Sequence, residues 1–145
     1  MPKLPMLAAA LLISGAALAH DYEKGDMHVA DAWAPAPIGA ARVMAGYLEV
    51  ISMKETPDRL IGARSALAER VELHGSAEVD GVMRMRPVEG VDINPFGGAD
   101  LEPGGLHLMI MGLKQKVAAG DRLPVTLIFE EAGEMEVKLT VKPRE

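Results

Sequence analysis

An all-β fold, an antiparallel β-sandwich with Greek-key connections, is what this sequence predicts, and three observations predict it. Apolar residues recur in roughly eight short runs, several of which alternate with polar ones at the strand period of two. Turn-forming residues interrupt the runs at intervals of about ten residues. No segment sustains a helical period, and fifteen glycines with ten prolines leave little room for one.

Taken in order, Met27 to Trp33 reads as a short strand, ended by the two prolines and glycine of Ala34-Pro35-Ala36-Pro37-Ile38-Gly39. Trp33, odd-numbered like Met27 and Val29, is expected to anchor the core. Arg42 to Ser52 is apolar on both faces, which suits a central strand. Asp58 to Ser65 is a weaker strand, and Ala66 to Arg70 is expected to form one helical turn. Val71 and Leu73 then point one way, Glu72 and His74 the other. Gly81 opens the next strand, whose end Pro87 disturbs. Val91 to Phe96 and Ala99 to Leu101 are short edge-like pieces. Leu106 to Leu113 places Leu106, Leu108 and Ile110 on one face and His107, Met109 and Met111 on the other. Pro124 to Phe129 and Met135 to Val141, joined by a turn at Glu130 to Glu134, finish the chain.

Composition narrows the function. A net charge of −6 without basic clusters argues against nucleic acid and anionic lipid as partners. The first nineteen residues have the form of a secretory signal: a short positive start at Lys3, an apolar run from Leu4, and the small-x-small site Ala17-Leu18-Ala19. The run is short for a membrane-spanning helix, which needs about 20 apolar residues. No cysteine follows it, which argues against a lipid-anchored form. The expected organisation is therefore a signal peptide, 1–19, and one exported domain, 20–145, a periplasmic monomer with no membrane insertion after cleavage. With no cysteine anywhere in the chain, thiolate zinc sites, iron–sulfur clusters and cysteine-containing copper sites are all excluded.

What remains for metal chemistry is imidazole and thioether. Between His74 and Met111 lie two of the four histidines and four of the ten methionines. On a strand, His107 and Met109 project together about 7 Å apart, and Met83 pairs with Met85 on the face opposite Arg84 and Arg86. Such a soft, neutral donor set suits Cu(I) better than a hard cation. The alternative is that the methionines fill gaps in a second apolar layer and the histidines are ordinary hydrogen-bonded residues.

The stretch "VELHGSAEVDGVMRMRPVEG", continued by "PGGLHLMIMGL", resembles the periplasmic copper chaperones associated with assembly of the CuA centre of cytochrome c oxidase, the PCuAC type. Their signature, His-x10-Met-x21-His-x-Met, is met by His74, Met85, His107 and Met109 without a gap. "GYLEV", "DRLIGARS" and "HDYEKGDMHVADAWAPAP" upstream are similar too, so the likeness covers nearly all of residues 20–145. The segments Ser52 to Pro57 and Asn94-Pro95-Phe96 depart from it. The resemblance implies a cupredoxin-like sandwich and a solvent-near Cu(I) site made by those four residues; Met83 and Met111 stay open, as a hydrophobic collar, auxiliary thioethers for transfer or plain core. It also implies a copper-accepting partner, either a cytochrome c oxidase subunit or a thiol-containing assembly factor.

The same residues leave other functions open. One is copper buffering or resistance without a dedicated acceptor; another is a metal-free sandwich acting as a binding module. An oxidative copper enzyme built on an amino-terminal histidine would need a broad aromatic surface, and five aromatic residues are too few, so a non-enzymatic role is expected. The mature amino terminus is a second candidate site: His20 would offer an α-amino group and an imidazole, with Asp21, Glu23 and His28 nearby, a harder set suited to Cu(II).

Overall fold

The computed structural model describes residues 21–144. The signal-like segment 1–19 and His20 lie outside them. The described residues form eleven strands and no helix: β1 (Tyr22–Lys24), β2 (Met27–Pro35), β3 (Val43–Ser52), β4 (Asp58–Arg64), β5 (Ala68–Val79), β6 (Val82–Pro87), β7 (Val91–Ile93), β8 (Gly98–Leu101), β9 (His107–Leu113), β10 (Arg122–Phe129) and β11 (Gly133–Lys142).

Seven strands close on themselves in the order β2, β11, β10, β4, β5, β9, β3 and back to β2. Every pairing in the ring is antiparallel except β2 with β11. The predicted sandwich is visible in this ring as two sheets, β11–β10–β4 and β3–β9–β5, joined at two corners. One corner is the narrow β4–β5 contact, a single pair, Ala63 with Val71. The other is β2, which pairs with β3 through Met27 to Ala30 and with β11 through its second half. Because β3 neighbours β9 and β4 neighbours β10, the chain crosses between the sheets as a Greek key does. The four remaining strands extend the edges: β1 on β2, β6 on β5, β7 on β4 and β8 on β3.

Inward-facing side chains alternate along each strand as the sequence pattern requires. Leu60, Leu108, Ile110, Leu123, Leu127, Val137 and Leu139 are sealed in the core. Three methionines, Met27, Met44 and Met135, are packed there as gap-fillers.

Three expectations need correction. Ala66 to Arg70 is not helical: a tight turn at Ala66-Leu67, in which the Ser65 hydroxyl accepts from the Leu67 amide and donates to the Pro124 carbonyl, leads straight into β5. Pairing of Ala68 to His74 with β9 then overrides the local preference. Val91 to Phe96 is a strand only as far as Ile93, because Phe96 takes a positive φ of 51°. Both segments that depart from the copper chaperone pattern meet here, the Phe96 amide donating to Lys54 and the Ser52 amide to Gly97. The polar amino-terminal stretch supplies a strand, β1, turned onto β2 by Gly25 at φ 58°.

Trp33 is the third correction. Asp31 sits at φ 49° in a bulge, with the β2–β3 register shifting between Ala30 and Trp33. The extra residue inverts the alternation, so Ala32 and Ala34 face the core and Trp33 faces outward, half-buried.

One buried charge ties the β11–β10–β4 sheet together. The Asp58 carboxylate, wholly covered, accepts from the amides of Arg59, Glu131 and Ala132 at 2.7, 2.9 and 3.0 Å and from Lys54 Nζ at 3.1 Å. Burial pushes its pKa up, but these donors together outweigh burial and hold it below its ordinary value. Its contribution to stability is therefore full above the unfolded carboxylate range, about pH 4, and falls away as pH drops through the lower folded value. Asp58→Asn should lower unfolding stability at neutral pH by about 2 kcal/mol or more. In urea melts the gap between variant and parent should narrow as the pH is taken below about 4.

Candidate metal site on the outer face of the second sheet

The register of three neighbouring strands builds the site. β5 and β9 run antiparallel with His74 directly opposite His107 and Glu72 opposite Met109. Leu73 and Leu108 point inward and are buried, so the histidines point outward. On the other side of β5, Asp80-Gly81 forms a two-residue hairpin with both φ values positive, 53° and 79°. That is the primed turn such a pair favours, and it fixes Ser76 opposite Met85 and Glu78 opposite Met83. Met85 and Met83 thus share the face of His74.

The two imidazoles are the buried part. His74 is 8% and His107 3% exposed, with ring centroids 5.9 Å apart. Each ring has one nitrogen engaged. His74 Nε2 donates to the Glu72 carboxylate at 2.7 Å, and His107 Nδ1 donates to the Gly105 carbonyl at 3.0 Å. The other nitrogens, His74 Nδ1 and His107 Nε2, are buried and have no hydrogen-bond partner. Buried polar atoms are nearly always paired, so two orphaned lone pairs on adjacent rings are what an ion-binding site looks like before the ion arrives.

The thioethers are placed less uniformly. Met109 is half-buried beside the rings, diagonal to His74 across the sheet, at a spacing of about 7–8 Å by strand geometry. Met85 is the opposite diagonal neighbour and is 63% exposed on the hairpin; Met83 is 59% exposed. Met111 is half-buried, and its sulfur accepts from Arg70 Nε at 3.2 Å. The structure therefore opposes the two histidines directly, sets Met109 beside them and leaves Met85 at the solvent rim. His28 is elsewhere, on β2 opposite Ile51, with Nδ1 3.3 Å from the Glu23 carboxylate.

Two groups near the rings escaped the sequence reading. Glu72 is one: the hydrogen bond from His74 draws its carboxyl below the ordinary value, against some desolvation and with Arg70 assisting. Its position two residues before His74 was the available signal. The other is an aromatic row. Tyr47 lies 6.4 Å from His107 and 5.0 Å from Trp33, centroid to centroid, and Lys142 covers the far face of the indole at 4.9 Å. No set of three His, Asp or Glu groups able to hold an ion occurs among the described residues.

The hydrogen bonds assign opposite tautomers to the two rings. Long-range ¹H–¹⁵N spectra of the metal-free protein at about pH 8, where unperturbed imidazole is neutral, should show His74 protonated on Nε2 and His107 on Nδ1.

Comparison with known proteins fits this geometry. Among solved structures, a copper-bound PCuAC domain from PmoF2 superimposes with a TM-score of 0.73 at 25% identity, covering 86% of this chain and 99% of that one. Apo-DR1885 from Deinococcus radiodurans matches with a TM-score of 0.64 at 25% identity over 99% of this chain and 97% of that one. The Cu(I) form of DR1885 matches with a TM-score of 0.58 at 29% identity over 77% and 74%. The cupredoxin-like fold expected from sequence is therefore the fold of this chain. A curated protein named "Putative lipoprotein Lxx21020", from Leifsonia xyli subsp. xyli, is 30% identical over 117 residues, which is 80% of this chain and 69% of that protein. The model of the family described as "Putative lipoprotein LpqE-like" matches residues 27–141, and the chain belongs to that LpqE-like family.

Proposed function

We propose that this protein is a periplasmic copper carrier that holds one Cu(I) ion between His74, His107, Met109 and Met85. The observation that carries the reading is the pair of buried, directly opposed imidazoles, each with one nitrogen engaged and the other left without a partner. A copper–nitrogen distance of about 2 Å, as in other imidazole–metal bonds, lets one ion reach both rings at this separation. Copper-bound members of the same fold support the choice of metal.

The donors explain why the ion would be carried and not kept. Cu(I) is a closed-shell, soft ion that accepts imidazole and thioether and imposes little geometry. Thioethers cannot form disulfides, so the site tolerates an oxidising compartment, methionine sulfoxide being its weakness. All four donors are neutral, and a thiolate acceptor would hold Cu(I) more tightly and draw it away. The acceptor we favour is the CuA centre of cytochrome c oxidase or a thiol-containing factor that assembles it. Exposed Met85 is the donor an incoming thiolate would displace first. Arg84 and Arg86, on the opposite face of the same hairpin, supply positive charge for docking; reversing both charges should slow transfer while leaving Cu(I) affinity unchanged.

Residues 1–19 are proposed as the export signal, and 20–145 as the working domain. A second site, for Cu(II), is proposed at His20 and His28 of the mature terminus, where Glu23, 3.3 Å from His28, adds an oxygen donor.

A competition titration of residues 20–145 with Cu(I) tests the main site. The parent should bind one ion tightly and quench the emission of Trp33, the chain's one tryptophan. Met85→Leu with Met109→Leu keeps size and hydrophobicity and should weaken binding by at least tenfold. Met111→Leu should change little, since that sulfur already serves Arg70. Equal binding by the parent and the double variant would return the thioethers to a packing role.

A further inference from the structure

We infer that Glu72 is the positioning residue of this site: by accepting the hydrogen bond from His74 Nε2–H it makes Nδ1 that ring's only copper donor, and it places a negative charge one imidazole away from the ion. The inference rests on the carrier reading above. Three facts on the outer face of β5 support it. Glu72 and His74 are two residues apart, so both project on one side, and their side chains meet at 2.7 Å. Arg70, two residues further back, holds the carboxylate from its other side at 3.4 Å and is itself engaged by the Met111 sulfur at 3.2 Å. Arg70 and Glu72 thus fix the His74 ring through a chain of contacts, with the Met111 sulfur an outer contact of Arg70.

The second fact is an asymmetry. His107 donates its N–H to a neutral carbonyl, Gly105, whereas His74 donates its N–H to a carboxylate. A ring whose far N–H is bound by an anion is the stronger donor, and partners of this kind tune metal affinity by roughly 10–100-fold. The third fact is the neutrality of the other donors. A carboxylate one imidazole away from the metal favours Cu(II) over Cu(I) relative to a neutral side chain, so Glu72 should set the potential as well as the geometry.

Two variants separate these roles. Glu72→Leu removes both acceptor and charge; Glu72→Gln keeps an acceptor oxygen and removes the charge. Long-range ¹H–¹⁵N spectra of the metal-free proteins should show the His74 proton leaving Nε2 in part or whole in Glu72→Leu and staying there in Glu72→Gln. Cu(I) affinity should fall by at least tenfold in Glu72→Leu and by less in Glu72→Gln. The Cu(II)/Cu(I) potential should rise in Glu72→Gln. An unchanged tautomer in Glu72→Leu, or a changed tautomer with undiminished Cu(I) binding, would overturn the inference. Failure of the parent to bind Cu(I), with the tautomer result as expected, would instead overturn the carrier reading beneath it, because the tautomer is read without metal.

Discussion

The pairing of β5 with β9 is the constraint on which the rest of this structure depends. Leu73, Leu108 and Ile110 face the core and are almost fully buried, while His74, His107 and Met109 face outward between them. A slip of one residue would turn every side chain over, exposing Leu108 and Ile110 and driving the imidazoles inward. Burial of each such apolar side chain contributes about 1.5–3 kcal/mol, so the hydrophobic core itself forbids the slip. The same contacts that stabilise the ring of strands hold His74 opposite His107. No separate device is needed to assemble the imidazole half of the site.

The thioether half has no such support. Beyond Gly75, β5 pairs only with β6, and every residue of β6 is exposed. Its register comes from local turn chemistry at Asp80-Gly81, not from burial. The site thus joins a rigid pair of rings, held by the core, to a methionine on a peripheral hairpin. For the proposed carrier, burial on one side and exposure on the other is a sensible division: the imidazoles would define where the ion sits, and Met85 lies where a partner could reach it.

Much of this could be read from the sequence because a strand's period of two is visible in residue types. Leu106 to Leu113 separates leucines and isoleucine from histidine and methionine position by position, and the structure keeps that separation. The spacing that suggested a metal site needed no knowledge of the turns. What could not be read were features that break periodicity or cross between strands. One residue with positive φ, Asp31, moved Trp33 from the core to the outer row beside Tyr47. Ala66 to Arg70 looked helical because its two alanines and leucine fit a helix locally, and only the long-range pairing with β9 decides against it. Glu72 was placed on the correct face but given no role, because a carboxylate next to a histidine in sequence is common and the 2.7 Å contact is not visible there.

The unpartnered nitrogens connect stability to function. A buried polar group without a partner costs about 1–3 kcal/mol, and this protein carries two such atoms on adjacent rings. Placing an apolar side chain at either position would remove that cost, so the fold alone gives no reason to keep imidazoles there. Their proton-bearing nitrogens are engaged, one by Glu72 and one by Gly105, and this stops the rings from turning to satisfy the orphaned atoms with the same partners. Both lone pairs are therefore fixed in place and buried. An ion that accepts those lone pairs regains the lost interaction without reorganising the barrel. That is the physical basis for the tight binding proposed from four neutral donors, and under that proposal two hydrogen bonds that do not touch the metal fix which lone pairs it meets.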